Sequence, residues 1–145
     1  MSAEIQPTAV LLDTCAVIWL ANGDPLQNDA DHRIIYAALA DGVFVSPISA
    51  WEIGMLSRPR TGRIIEFLPD PATWFARFMA GPAIKTAAFS ADIAIAASWL
   101  PEPLHGDPAD RLLIATARHM AMPIVTRDAR IIAYAAAGHV GAISC

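Results

Sequence analysis

Val10-Leu11-Leu12-Asp13-Thr14-Cys15-Ala16-Val17-Ile18-Trp19 decides how the rest of the chain is read. Three apolar residues run straight into an aspartate, and a helix-like apolar pattern follows without a linker. A short continuous apolar run reads as a buried parallel strand, because such strands are covered on both faces. Asp13 then stands at the carboxyl end of the first strand, the sheet edge where open α/β folds collect ligands and chemistry. Desolvating an unpaired carboxylate is costly, so other groups in the chain must come to meet Asp13.

Working outward, a helix over 14–21 ends at the Asn22-Gly23-Asp24-Pro25 turn. A second helix over 29–40 carries Ile34, Ile35, Ala38 and Leu39 as its apolar stripe, with Gly42 past its end. Val43-Phe44-Val45 makes the second strand, and Ser46-Pro47 supplies the N-cap and first position of a third helix. Glu52 lies four residues from both Ile48 and Leu56, on the stripe that this helix buries. It is either an inward-facing acid or a stripe-edge residue paired with an arginine such as Arg58.

Asp70-Pro71 opens a fourth helix with Trp74, Phe75, Phe78 and Met79 on one side. A third strand is expected over 84–87. Ser90 then caps a helix reaching residue 100, in which the helix dipole accounts for Asp92. Asp107-Pro108 caps and starts the next helix, with Asp110 at its third position, and in this stretch by itself capping is enough to account for both aspartates. Pro123-Ile124-Val125 is a fourth strand that runs into Thr126-Arg127-Asp128, again delivering an acid at a carboxyl end. A last helix over 129–137 and a fifth strand over 140–143 complete the chain. This alternation predicts an α/β/α layered fold with a five-stranded, mostly parallel sheet. Asp13 and Asp128 share one sheet edge if their strands are neighbours, and Glu52 and Asp110 then join them.

The 145 residues have single-domain length. No apolar run approaches the ~20 residues of a membrane span, and Met1–Gln6 carries Glu4 with no basic or apolar leader. The expectation is a soluble, cytoplasmic protein. Cys15 and Cys145 form no metal-type spacing, and His32, His105, His119 and His139 show no zinc-type clustering. The net charge of −4 excludes a generic polycationic nucleic-acid binder. Setting four acids aside for a cation cluster leaves ten acids against ten bases, so a nucleic-acid substrate held by local features is compatible with the composition.

Two carboxylates about 4 Å apart repel by roughly 4 kcal/mol at an effective dielectric of 20. Four in one pocket therefore require bound cations or raised pKa values. Oxygen-only ligands select Mg²⁺ or Mn²⁺ over Zn²⁺, and such ions suit phosphodiester hydrolysis. Arg58, Arg60 and Arg63, in a Pro/Gly-punctuated stretch after the Glu52 helix, are either a solvated loop or a clamp for substrate phosphates.

Leu11-Leu12-Asp13-Thr14, Ser49-Ala50-Trp51-Glu52-Ile53, the segment from His105-Gly106-Asp107-Pro108 through Ala109-Asp110-Arg111, and Thr126-Arg127-Asp128 together resemble the ordered motifs of PIN domains. They are most similar to those of the VapC-type ribonuclease toxins of bacterial toxin–antitoxin pairs. The resemblance implies a Mg²⁺-dependent endoribonuclease, dimeric and held inactive by a cognate antitoxin. Carried over by position, Asp13 and Asp110 are the main metal ligands, Glu52 binds metal directly or through water, and Asp128 completes the cluster. Thr14 and Thr126 hydrogen-bond the acids or the attacking water, and Asp107 matches the pattern while serving mainly as a cap. Trp51, Met55, Trp74, Phe75 and Phe78 are the candidates for an apolar antitoxin groove.

Two other classes compete. An aspartyl-phosphate phosphatase needs a second aspartate two residues after the first, where this chain has Cys15, and no lysine stands at a suitable later position. A non-catalytic partner-binding module would have Asp110 capping, Glu52 pairing and Asp128 starting a helix, each for separate structural reasons. A PIN nuclease that processes RNA or DNA without an antitoxin would share the fold and differ only in partner.

Overall fold

The structure, a computed structural model, describes residues 8–27, 29–59 and 65–145. Its strands are β1 (Val10–Leu12), β2 (Val43–Val45), β3 (Ile84–Thr86), β4 (Ile124–Thr126) and β5 (Ala142–Ser144). Between them run helices α1 (Thr14–Asn22), α2 (Ala30–Leu39), α3 (Pro47–Leu56), α4 (Pro71–Met79), α5 (Ala91–Ser98), α6 (Pro108–Met120) and α7 (Ala129–Ala136).

The strands form one sheet in the order β3-β2-β1-β4-β5, and every pairing is parallel. β1 is the central strand. The chain first builds outward on one side of it, then returns to add β4 and β5 on the other. Strand order therefore reverses between β1 and β4, where Leu11 is in register with Ile124 and Leu12 with Val125. Such a reversal leaves a crevice at the carboxyl ends of the two strands, because their connections depart to opposite faces.

The strand pleat splits the core into two layers. Val10, Leu12, Val43, Val45 and Val125 face α1, α2 and α3, packing with Ala16, Val17, Ile34, Ala37 and Ile53. Leu11 and Ile124 face the other way, onto Ile93, Ala97, Leu113, Ile114 and Ile131 of α5, α6 and α7. A continuous apolar strand with both faces covered is the arrangement that the three-residue run Val10–Leu12 demands.

The expected helix starts hold in detail. Ser46, Asp70, Ser90 and Asp107 each accept a backbone N–H from the first turn of their helices, and prolines begin α3, α4 and α6. Asp13 and Asp128 are N-caps as well, accepting from Ala16 N and Arg130 N. Gly23, at φ +72°, ends α1 in the left-handed conformation that glycine adopts without strain.

The stripe read for α2 needs correction. Ile34 and Ala37 are buried, whereas Ile35 is 57% and Leu39 83% exposed. Ala30, Ile34 and Ala37 make a narrower seam, so the helix touches the sheet along one row of side chains. The aromatic side of α4 is only partly buried, yet Trp74, Phe75 and Phe78 all pack against the core layer of β1 and β2. Trp74 meets Phe67 edge-on at 4.9 Å between centroids and stacks with Phe78 at 6.3 Å. The α4 rings are half-buried on that layer, while Trp51 and Met55 line a hollow with Glu52, Leu56, Arg58 and Pro59. Among the described residues no helix is long and apolar enough to cross a membrane.

Candidate active site

Asp13 and Asp128 emerge from the adjacent strands β1 and β4 at their carboxyl ends, one immediately after β1 and the other two residues past β4. Glu52 comes from the middle of α3 and Asp110 from the first turn of α6. All four acids line one cleft of about 300 Å³, together with Thr14, Cys15, Trp19, Leu113 and Arg127. A wider hollow of about 600 Å³ lies by the opposite ends of β4 and β5 and is lined by no acidic side chain. Chemistry singles out the smaller one.

Each acid is held by a different partner. Asp13 is almost fully buried. Its Oδ1 accepts Ala16 N at 2.8 Å, and the Thr126 hydroxyl bonds it from β4. The same Thr126 oxygen accepts Asp128 N at 3.0 Å, so one hydroxyl ties the acids of the two strands together. Thr14 donates its hydroxyl to Glu52 Oε1 and lies 3.0 Å from the Ser49 hydroxyl, joining α1 to α3. Asp110 has His105 Nε2 at 2.7 Å from its Oδ2. Arg130 bridges two acids, with Nη2 3.0 Å from Asp128 Oδ2 and 3.6 Å from Asp110 Oδ2.

Burial dominates the electrostatics. It raises the Asp13 carboxyl to about 6, against the lowering effect of the Thr126 and Ala16 hydrogen bonds, and the charges of Asp110 and Asp128 add to the rise. Burial also raises Glu52 and Asp110, opposed by Thr14 in one case and His105 in the other. Asp128 moves the other way because Arg130 stabilises its anion. The Cys15 thiol is pushed up to about 11, first by burial and then by Asp13 and Glu52, which disfavours a thiolate nucleophile.

Three neighbouring acids with raised carboxyl pKa values mark a place where negative charge is crowded and poorly solvated. The donors are all oxygens on hard carboxylates, which fits a divalent ion such as Mg²⁺ or Mn²⁺. As they stand, the carboxylates share the cleft without closing on one point. Among the described residues no three His, Cys, Asp or Glu side chains are grouped tightly enough to hold an ion. His105, Arg130 and the two threonines hold the carboxylates in the meantime.

Of the residues singled out from sequence, Asp13, Thr14, Glu52, Asp110 and Asp128 line the cleft, and Thr126 lies beneath it through its bonds to Asp13 and Asp128. Asp107 is exposed, and its carboxylate accepts Asp110 N at 3.0 Å, the capping role read for it. Glu52 is held by Thr14 and makes no ion pair with Arg58. Arg58 instead reaches Met55 Sδ at 3.7 Å and lines an adjoining hollow with Trp51, Glu52 and Pro59. Arg60 and Arg63 lie outside the described residues. The sequence motifs assign no role to His105, Arg127 or Arg130, which the structure brings to the cleft or to its acids. The spacing of His105 five residues before Asp110 was the one available signal, since a bend ahead of a capped helix folds such a residue back over the first turn.

An acidic cleft at the reversal point of a wholly parallel sheet, lined by acids from two strand ends and two helices, defines an α/β protein with its candidate site at the carboxyl edge of the sheet. The chain belongs to the PIN domain family, whose model matches residues 10–137. It is 31% identical over 125 residues to Ribonuclease VapC22 of Mycobacterium tuberculosis, covering 86% of this chain and 90% of that protein. In fold it is similar to VapBC2 of Rickettsia felis, solved bound to a DNA fragment from its promoter, with a TM-score of 0.67 at 15% identity over 94% of this chain and 98% of that one. FitAB bound to the IR36 DNA fragment superposes with a TM-score of 0.57 at 20% identity, covering 93% and 94% of the two chains.

Proposed function

We propose that the protein is a Mg²⁺- or Mn²⁺-dependent endoribonuclease, the toxin of a toxin–antitoxin pair, with the whole chain acting as one nuclease domain. The observation that supports this reading most is the single cleft shared by Asp13, Glu52, Asp110 and Asp128, in a chain 31% identical to a ribonuclease over most of its length. Capping accounts for Asp13 and Asp128 at one sheet edge, but it does not require Glu52 of α3 to line the same cleft.

Asp13 and Asp110 would be the main ligands of the ion, with Glu52 and Asp128 completing the set. When bound, the ion supplies the positive charge that activates water for attack on a phosphodiester and offsets charge on the leaving oxygen. The chain's own contribution is positioning. Thr126 holds Asp13 and the start of the Asp128 turn, Thr14 holds Glu52, and His105 holds Asp110. Carboxylates restrained in this way would lose less freedom on drawing together around a cation than freely rotating ones. Arg58 lines a hollow with Glu52 and would meet substrate phosphates entering along α3. The VapC-type resemblance brings with it a cognate antitoxin and a homodimer as the assembly, in the cytoplasm.

The test is cleavage of single-stranded RNA by purified protein with EDTA, Mg²⁺ or Mn²⁺, beside Asp110→Asn. Metal-dependent cutting that falls at least a hundredfold in the variant is the expected result, as removing one charged ligand weakens both ion binding and transition-state stabilisation. Cutting in EDTA, or an Asp110→Asn rate equal to wild type, overturns the reading.

A further inference from the structure

One side of the acidic cleft is closed by Trp19 of α1 and Arg127, which lies between β4 and α7. Arg127 Cζ stands 3.5 Å from the centroid of the Trp19 ring, and Arg127 Nε donates to the main-chain oxygen of Cys145 at 3.0 Å. The guanidinium is thus pinned from two directions while its residue stays exposed. Its neighbours are engaged otherwise. Arg130 pairs with Asp128 and Asp110, and Arg111 pairs with Glu102 at 3.4 Å. Among the described residues no Asp or Glu carboxylate stands within ion-pair distance of Arg127, although it lines the same cleft as four of them.

A cation held flat on an indole beside an acidic cluster, and not neutralised by it, is arranged for an anion arriving from outside. We propose that Arg127 and Trp19 form a phosphate subsite, in which the guanidinium takes the non-bridging oxygens of a backbone phosphate next to the one facing the acids. A phosphate is favoured over a stacked base because the guanidinium already covers a face of Trp19, while its planar fork matches two phosphate oxygens. Need points the same way. The acids repel an incoming polyanion, the chain's net charge is −4, and among the described residues Arg127 is the sole cationic side chain lining this cleft. The inference rests on the ribonuclease reading only for the identity of the strand as RNA.

The experiment is fluorescence anisotropy of a labelled single-stranded RNA with the full chain in Mg²⁺, in the Asp110→Asn background to prevent cutting, across a series of salt concentrations. Each phosphate contact on a single strand contributes about 0.7 to the slope of log affinity on log salt. Arg127→Gln is expected to weaken binding about tenfold, the scale of a lost charge-assisted contact, and to lower the slope by about 0.7. Arg127→Lys keeps the slope and loses part of the affinity, because charge remains while the stacked fork does not. Trp19→Leu likewise weakens binding with the slope unchanged. A slope unaltered in Arg127→Gln overturns the subsite, whether or not affinity falls, since a merely structural role for Arg127 would weaken binding without changing the count of phosphates held. Failure of the parent protein to bind RNA overturns it too. Absence of cleavage by the wild-type chain in a parallel assay overturns the ribonuclease reading alone, because the slope decides the subsite without any cutting.

Discussion

His105 Nε2 lies 2.7 Å from Asp110 Oδ2, and both side chains are largely shielded from solvent. The contact joins the bend before α6 to that helix's first turn, where Asp107 already caps Asp110 N. Asp110 is therefore fixed at its backbone by one residue and at its carboxylate by another. Its carboxyl is raised by burial and drawn back down by His105. Replacing His105 with alanine removes the restraint and leaves a buried carboxylate with less support. Cleavage should fall by roughly tenfold to a hundredfold, as when partners that orient metal-binding side chains are lost, with more Mg²⁺ needed for half-maximal rate. A metal titration of the rate checks it. An unchanged rate and an unchanged metal requirement would show that Asp110 is positioned by its helix alone.

Asp13 makes the apo protein's stability depend on pH. Its carboxyl rises from an ordinary 3.8 to about 6 on folding, chiefly through burial. A carboxyl raised by folding stabilises the folded state while it is protonated. That contribution is fully present below 3.8 and disappears as pH climbs through about 6. The gap corresponds to about 3 kcal/mol at 1.36 kcal/mol per pKa unit. Asp128, lowered by Arg130, works in the opposite sense and loses stability as pH falls. Asp13→Asn keeps an oxygen to cap Ala16 N while removing the charge, so it should be more stable than wild type at pH 7 in EDTA and about equal at pH 4. Asp13→Ala also loses the cap, worth ~1 kcal/mol, and should gain less. Urea unfolding of the three proteins from pH 4 to 8 reads this directly, and parallel curves for wild type and Asp13→Asn would contradict it.

Thr14 is nearly inaccessible, and its hydroxyl meets both Glu52 and Ser49. Thr14→Val preserves shape and removes that hydroxyl, leaving two polar groups of α3 short of a partner. The expected cost is about 1–3 kcal/mol, the range for a buried polar group left unsatisfied. Activity should fall together with stability, because Glu52 is no longer held toward the cleft. Thermal unfolding and kcat measured on the same preparation test both halves. Thr14→Ser, which keeps the hydroxyl, should recover most of each.

The strands and acids were legible from sequence because the same feature specifies both. An apolar run covered on two faces must end where the sheet meets solvent, and an aspartate immediately after it can only stand at that edge, as Asp13 does after Val10–Leu12. Ser-Pro and Asp-Pro pairs marked helix starts for an equally local reason. What was illegible is set by contacts between distant residues. Nothing near Arg127 in the chain announces Trp19, and nothing in α2 says that Ile35 and Leu39 face away from the sheet while Ala37 is buried. Periodicity locates a helix's apolar side only to within the width of its stripe. The helix crossing angle chooses the row that is covered, and that depends on neighbours not encoded in the segment.

Trp74 and Trp99 show how differently two tryptophans of one chain should respond to truncation. Trp74 is half-buried between Phe67 and Phe78 and packs on the core layer beneath α4. Trp99, at the end of α5, is 84% exposed. Trp74→Ala should destabilise by about 3 kcal/mol, the low end for removing a packed aromatic, since the ring is not wholly enclosed. Trp99→Ala should change stability by less than about 0.5 kcal/mol, as for surface sites away from special features. If Trp74→Ala proved as mild as Trp99→Ala in chemical denaturation, α4 would be only loosely attached to the core, and its aromatic side would return as a candidate surface for the antitoxin.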